Sequence, residues 1–69
     1  MSRKLTAKQV EVLRLLSEGY SSQEIAVKLE NSKKTIDNIR NQALIITDSK
    51  NVAQLISWGF KNGVLSTNK

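Results

Sequence analysis

The stretch SSQEIAVKLENSKKTIDNI, residues 21–39, decides the fold. It predicts a short helix over 22–29 that begins after Ser21, and Glu24 three residues later completes a capping box. Residues 30–32 then separate this helix from the next one. A connection this short favours a tight angular junction, so the stretch predicts a helix-turn-helix.

The apolar residues of the same stretch can hold the two helices together. Ala26 supplies the small residue that is needed where the second helix crosses the first closely. The larger apolar residues at helical spacing are Ile25, Leu29, Ile36 and Ile39. The opposite face of the second helix carries the amide side chains Asn38 and Asn41 at successive turns. A capped helix with such a free polar face fits the major groove of DNA.

Two more helices flank this pair. Thr6 and Gln9 form a capping box that starts the first helix, and Gly19 has the left-handed conformation that ends it. Asp48 or Ser49 caps the last helix. The predicted fold is therefore an all-α bundle with helices over 7–18, 22–29, 33–46 and 50–62. It forms one domain over 1–65, with Val64 and Leu65 folded back on the core and a frayed tail over 66–69.

Composition excludes several classes of protein. The 69 residues include no cysteine and no histidine, so disulfides, the usual metal ligands and the usual general base are missing. We therefore expect no enzyme, no metal and no cofactor. The net charge of +5 favours a polyanionic partner. No apolar stretch is long enough to span a bilayer and no signal peptide begins the chain, so we expect a cytoplasmic protein with no membrane partner.

The sequence resembles a known family along nearly its whole length. The matching strings are LTAKQVEVLRLLSEGYSSQEIAVKL (5–29), SKKTI (32–36) and NVAQLISWGFKNGVL (51–65), which are similar to the LuxR-type, or GerE-type, helix-turn-helix domain of bacterial transcription regulators. The resemblance implies four helices and major-groove binding by the third helix. It also implies a homodimer formed through the fourth helix and a bacterial or phage source. The side chains that read bases fall at Asp37, Asn38 and Asn41.

These observations give two sets of DNA-contacting candidates. The side chains expected to read bases are Lys34, Asp37, Asn38 and Asn41. Asparagine can pair with adenine through two hydrogen bonds, and a carboxylate can accept from the amino group of cytosine. The side chains expected to contact phosphates are Ser22, Gln23, Lys33, Thr35 and Arg40. They lie at the start of the second helix or on and beside the third helix, where they can position the protein on the duplex.

Trp58 marks the expected dimer surface on the fourth helix. Counting 100° per residue places the core face at Val52, Ile56 and Gly59, and points Trp58 well away from it. The predicted dimer residues are Asn51, Leu55, Trp58 and Asn62. Tryptophan is enriched at the buried centres of interfaces. The alternative is that Trp58 folds onto the first helix or the N-terminal arm.

The chain departs from the family pattern at positions that bear on function. Asp37 and Ile46 stand where the family usually has lysine, and Asn31 stands where it prefers an apolar plug between the helices. The first two departures keep an alternative open, in which the chain is a protein-interaction module that binds and silences another transcription regulator. A second alternative is the promoter-recognition region of a sigma factor, against which the complete fourth helix argues. The initial Met1 and the compact ends favour a stand-alone regulator over an excised output domain.

Overall fold

Four helices make up the described part of the chain. The computed structural model describes residues 4–66, and within this range there is no strand. The helices are α1 (Ala7–Ser17), α2 (Ser22–Leu29), α3 (Lys33–Thr47) and α4 (Val52–Lys61). This confirms the all-α prediction: α2 has its expected bounds, α1 and α3 begin where expected, and the remaining ends are shifted by one or two residues. Of the tail predicted over 66–69, residues 67–69 lie outside the described range.

The helices begin at side-chain caps. Thr6 and Ser21 each accept a hydrogen bond from the backbone N–H three residues later and close a full capping box, as predicted. The start of α4 differs from the prediction. Its capping residue is Asn51, whose side chain accepts a hydrogen bond from the backbone N–H of Gln54 at 2.9 Å. Neither Asp48 nor Ser49 caps this helix. Asp48 instead ends α3 in the left-handed conformation.

All four helices end in the same way. The residue after the last turn has a positive φ: Gly19 (99°), Glu30 (56°), Asp48 (57°) and Gly63 (74°). The next N–H then donates to a carbonyl five residues back: Tyr20 to Leu15, Asn31 to Ala26, Ser49 to Leu44 and Val64 to Gly59, at 2.8–3.2 Å. This is the Schellman arrangement, which satisfies carbonyls that a helix end leaves unpaired. It turns the chain sharply and keeps every connection short.

Two apolar clusters form the core, and α1 contributes to both. The first consists of Val12, Leu15, Ile25, Ala26 and Ile36, with Leu16, Tyr20, Leu29 and Ile39 packed against it. The second consists of Leu13, Ala43, Leu55 and Leu65, with Leu5, Leu44, Ile56 and Val64 packed against it. Because α3 contributes to both clusters, it is held along its whole inner side. Its outer side remains open to solvent.

The inner face of α4 is centred differently from the prediction. Leu55 and Gly59 are buried, whereas Val52 and Ile56 are half-buried. The chain after α4 folds back over Gly59, as expected, so that Leu65 is only 8% exposed. A Cβ atom on Gly59 would lie 2.7 Å from Leu65 Cδ1, so the absence of a side chain permits this close approach. Leu65 belongs to the same apolar cluster as Leu55, so the buried face of α4 is centred nearer to Leu55 than predicted.

Candidate nucleic-acid interface

The open face of α3 consists of Lys34, Asn38, Asn41 and Ile45. These positions fall within an arc of about 60° at 100° per residue, and all four side chains are exposed. Within residues 4–66, the two asparagine amides and the Lys34 ammonium have no hydrogen-bond or ion-pair partner. Helix α3 therefore presents unengaged donors and acceptors, at successive turns, to whatever binds there. The expected outward orientation of three of the four predicted base-reading residues is met.

Asp37 lies on the flank of α3 and is already engaged. Its Oδ2 accepts a hydrogen bond from Lys33 Nζ at 2.8 Å, and its Oδ1 lies 3.4 Å from Arg40 Nη1. The hydrogen bond from Lys33, helped by the charge of Arg40, lowers the pKa of Asp37 below its usual value, so the carboxylate stays ionised. That Asp37 reads a base stays a prediction: within residues 4–66 its Oδ1 is buried without a hydrogen-bond partner, and a base contact through Oδ2 would have to displace the Lys33 ammonium.

Ser22 is buried beneath the same group of charges. Arg40 Nη1 donates to Ser22 Oγ at 3.0 Å, which joins the start of α2 to the middle of α3. The residue Ser22 is only 8% exposed. The prediction that its side chain contacts phosphate is therefore corrected: the hydroxyl is covered and serves as the partner of Arg40. Sequence reasoning placed Ser22 at an exposed helix start because it could not see α3 crossing over it.

The other phosphate candidates lie at the start of α2 and in the first turn of α3. Gln23 and Lys33 are exposed, and so is Thr35. Thr35 is tied to the helix cap, since its N–H donates to Ser32 Oγ at 3.1 Å and the two hydroxyl oxygens lie 2.9 Å apart. Gln23 has no side-chain partner within residues 4–66. Lys33 and Thr35 therefore lie at one end of the open face of α3, whereas Gln23 lies at the start of α2, next to Ser22, whose hydroxyl accepts a hydrogen bond from Arg40 in the middle of α3.

The residues predicted for the dimer surface do not share one environment. Leu55 has 0% exposure, so its prediction as a dimer contact is wrong: it belongs to the monomer core. Asn51 and Asn62 are exposed, and each bonds locally, Asn62 Nδ2 donating to the Trp58 carbonyl at 2.8 Å. Trp58 is half-buried and borders a surface cleft of about 410 Å³ next to Leu5. The cleft runs between α4 and the segment that precedes α1.

The sequence places Ile45 on the open face of α3 but predicts no apolar depression there. Ile45 is 78% exposed, and with Ile46 and Gln42 it borders an apolar depression of about 270 Å³ at the C-terminal end of α3. The helical periodicity already places Ile45 on the same side as Asn41, so the signal was present in the spacing.

Among residues 4–66, no helix combines the length and the apolar character needed to cross a membrane.

The half-buried Asn31 shows how the two helices meet without an apolar plug. Its Nδ2 donates to the Leu29 carbonyl at 3.1 Å, and its N–H donates to the Ala26 carbonyl at 2.9 Å. Buried polar groups are tolerated when they are hydrogen-bonded. The polar residue therefore fits the turn between α2 and α3, and the pair keeps its compact geometry.

Known proteins share this sequence and architecture. Residues 3–58 match the GerE model, described as bacterial regulatory proteins of the luxR family. The transcriptional regulatory protein RcsB of Escherichia coli K12 is 38% identical over 56 residues, which are 81% of this chain and 26% of RcsB. RcsB of Salmonella typhimurium gives the same values. The chain thus spans about a quarter of the length of these relatives.

A solved structure described as the transcription factor GerE covers the fold almost completely. It superposes with a TM-score of 0.88 at 28% identity, over 99% of this chain and 100% of that one. The family match, the curated relatives and the structural likeness agree on a helix-turn-helix domain typical of DNA-binding transcription regulators. The chain belongs to the luxR family of bacterial regulatory proteins.

Proposed function

We propose that this chain is a sequence-specific, non-enzymatic transcription regulator that places α3 in the major groove of double-stranded DNA. The observation that carries the proposal is the open face of α3, where Asn38 and Asn41 present amides with no partner within residues 4–66. Each amide can pair with adenine N6 and N7, and Lys34 can donate to guanine. Exposed side chains without intramolecular partners exchange only their bonds to water when they make these bonds.

The phosphate contacts are assigned to polar groups at the start of α2 and along the first half of α3. Gln23 and Thr35 can donate to phosphate oxygens, and Lys33 and Arg40 supply charge. The net charge of +5 supports a polyanionic partner. Contacts of this kind fix the register of α3 on the duplex, whereas the amides choose the sequence.

We also propose a homodimer formed through α4. Trp58 borders an open cleft instead of belonging to either apolar cluster, and Asn51 and Asn62 are exposed at the two ends of the helix. Domains of this size bury a smaller fraction of their surface than larger domains do, and gain from a second chain. The domain is assigned to residues 1–65, and the cytoplasm of a bacterium is the proposed setting.

Binding-site selection from a random duplex library tests this function. The purified protein should enrich one motif with adenines at fixed positions, and the motif should be palindromic if the protein binds as a dimer. Selection repeated with Asn38→Ala should lose the preference at one position of each half-site. Enrichment of no motif by a folded protein that binds duplex would contradict sequence-specific reading.

A second candidate function rests on the exposed apolar end of α3. Ile45 is 78% exposed and lies beside Ile46, where a phosphate-binding helix would gain from a cation. An apolar patch on this face suits contact with another transcription regulator instead of DNA. In that case the chain would bind no random duplex at low salt. Its complex with the regulator would weaken when Ile45 is replaced by Lys.

A further inference from the structure

Asp37 lies between two of the three cations of α3. The helix sequence KKTIDNIRNQALIIT contains the cations Lys33, Lys34 and Arg40 and one acidic residue, Asp37. The Asp37 carboxylate lies 2.8 Å from the Lys33 ammonium and 3.4 Å from the Arg40 guanidinium. Within residues 4–66, Lys34 is the cation of α3 that has no ion-pair partner. The single carboxylate therefore occupies two of the three positive charges that a phosphate would attract.

The Asp37–Arg40 pair is more covered than an ordinary surface ion pair, whereas Lys33, in the other pair, is 57% exposed. The side chains of Asp37 and Arg40 are 25% and 30% exposed, whereas those of the Arg14–Glu18 pair on α1 are 51% and 47% exposed. Exposed pairs contribute little because water and salt screen them, and this screening weakens as the charges become covered. Arg40 has a further tie to α2, because its Nη1 donates to Ser22 Oγ at 3.0 Å. Two neighbours thus fix its guanidinium.

We propose that Asp37 is a specificity-determining residue that acts as an internal competitor of DNA phosphate. Its carboxylate holds Lys33 and Arg40 and repels a phosphate that approaches them. This inference rests on the proposed DNA binding and deepens it. By weakening sequence-independent attraction to the backbone, Asp37 leaves a larger share of the binding to Asn38 and Asn41. The chain thus discriminates more strongly between its preferred site and random duplex.

The test compares Asp37→Asn with the matched control Asp48→Asn. Both changes raise the net charge by one, but Asp48 is exposed, lies beyond the end of α3 and has the left-handed conformation that asparagine tolerates. Affinity for a random-sequence duplex is measured by fluorescence anisotropy over a series of salt concentrations. Each phosphate contact that forms adds about 0.9 to the slope of log affinity against log salt.

We expect Asp37→Asn to steepen this slope by about 0.9 for one released cation or about 1.8 for both. Its affinity for random duplex at low salt should rise several-fold more than that of Asp48→Asn. Its preference for the selected site over random duplex should fall. A second variant isolates the mechanism. Arg40→Gln should lower the slope by about 0.9 in the Asp37→Asn background and by less in the wild-type protein, where Asp37 partly neutralises Arg40.

Four results would overturn the inference. Equal slopes for Asp37→Asn and Asp48→Asn would show only a general charge effect. A loss of affinity in Asp37→Asn together with a lower melting temperature would show that Asp37 serves the fold. Binding to duplex by the wild type with no change in any variant would reject the role of Asp37 alone. Absence of duplex binding by all variants and the wild type would reject the proposed function as well.

Discussion

Asn38 and Asn41 are the residues proposed to determine the DNA sequence preference, and their environment suits this role. Asn38 and Asn41 are exposed on the open face of α3, and within residues 4–66 neither amide has a partner. Such an amide loses no intramolecular hydrogen bond when it pairs with adenine. Lys34 lies in the same arc and adds a donor for guanine.

Replacing Asn38 or Asn41 with Ala should cost about 1–3 kcal/mol on the selected site and relax the preference at one base pair. Gln23→Ala is the matched control, since it removes an exposed amide from the phosphate-contacting group. It should weaken the selected and the scrambled duplex alike. Titration of both duplexes with each variant measures the difference. If the asparagine variants weakened both duplexes equally, these residues would not be readers.

Leu55 is a core residue, and its replacement should show this. Its side chain is fully buried against Leu13 and Ala43 in the second apolar cluster. Leu55→Ala should therefore lower the free energy of unfolding by about 2–5 kcal/mol, which is a large part of the stability of a small domain. Urea unfolding followed by circular dichroism measures the loss. Retention of stability with a change in association state would return Leu55 to the dimer surface.

The ends of the helices show what could be predicted at the scale of an element. Gly19 and Gly63 predict left-handed positions at the ends of α1 and α4, because glycine adopts positive φ without strain. Glu30 and Asp48 adopt the same conformation without that signal. The end of α2 was still found from the spacing of its apolar residues. The start of α4 differs from the prediction because Asp48 is of a residue type that often caps helix starts, but here ends α3.

Glu30→Gly should stabilise the domain by on the order of 1 kcal/mol, since it relieves a left-handed side-chain conformation at the end of α2. Glu18→Gly is the control: Glu18 ends α1 in the right-handed conformation, with φ of −87°, and pairs with Arg14 at 3.2 Å. That change should destabilise the domain. Thermal unfolding of both variants checks the contrast. Destabilisation by Glu30→Gly would mean that the glutamate makes a favourable contribution at this turn.

The face of α4 shows why Leu55 was wrongly predicted for the dimer surface. The apolar residues Val52, Leu55, Ile56 and Gly59 cover an arc of about 100°, so the pattern identifies a stripe without fixing its centre. The fold-back of Leu65 onto Gly59 sets the centre, and this contact joins residues that no local pattern relates. The ion pairs of Asp37 follow from helical spacing. Their link to Ser22, however, depends on how α2 packs against α3.

The whole molecule has two surfaces that the proposed function uses, the open face of α3 and the surface around Trp58 on α4. A two-fold axis through α4 would place two copies of α3 about one turn of DNA apart, roughly 34 Å, and would favour a palindromic site. The size of the chain, 69 residues, makes a second copy useful for stability as well.

Trp58→Ala should convert the dimer to monomers in sedimentation velocity while helix content is retained, because Trp58 lies beside an open cleft and outside both core clusters. Phe60→Ala provides the control, since Phe60 is 41% exposed and lies about 160° away around α4. It should leave the association state unchanged. Loss of helix content in Trp58→Ala, without any change in association, would place the tryptophan in the monomer fold.

If the open face of α3 binds double-stranded DNA, the affinity of the protein for random duplex should depend on salt. A titration of random duplex over a series of salt concentrations measures this. The wild-type protein should form a complex at low salt, and log affinity should fall linearly with log salt by about 0.9 per phosphate contact. Lys34→Ala should weaken the complex, because this exposed cation has no ion-pair partner within residues 4–66. A folded protein that binds no duplex at low salt would contradict the account and favour a protein partner for α3.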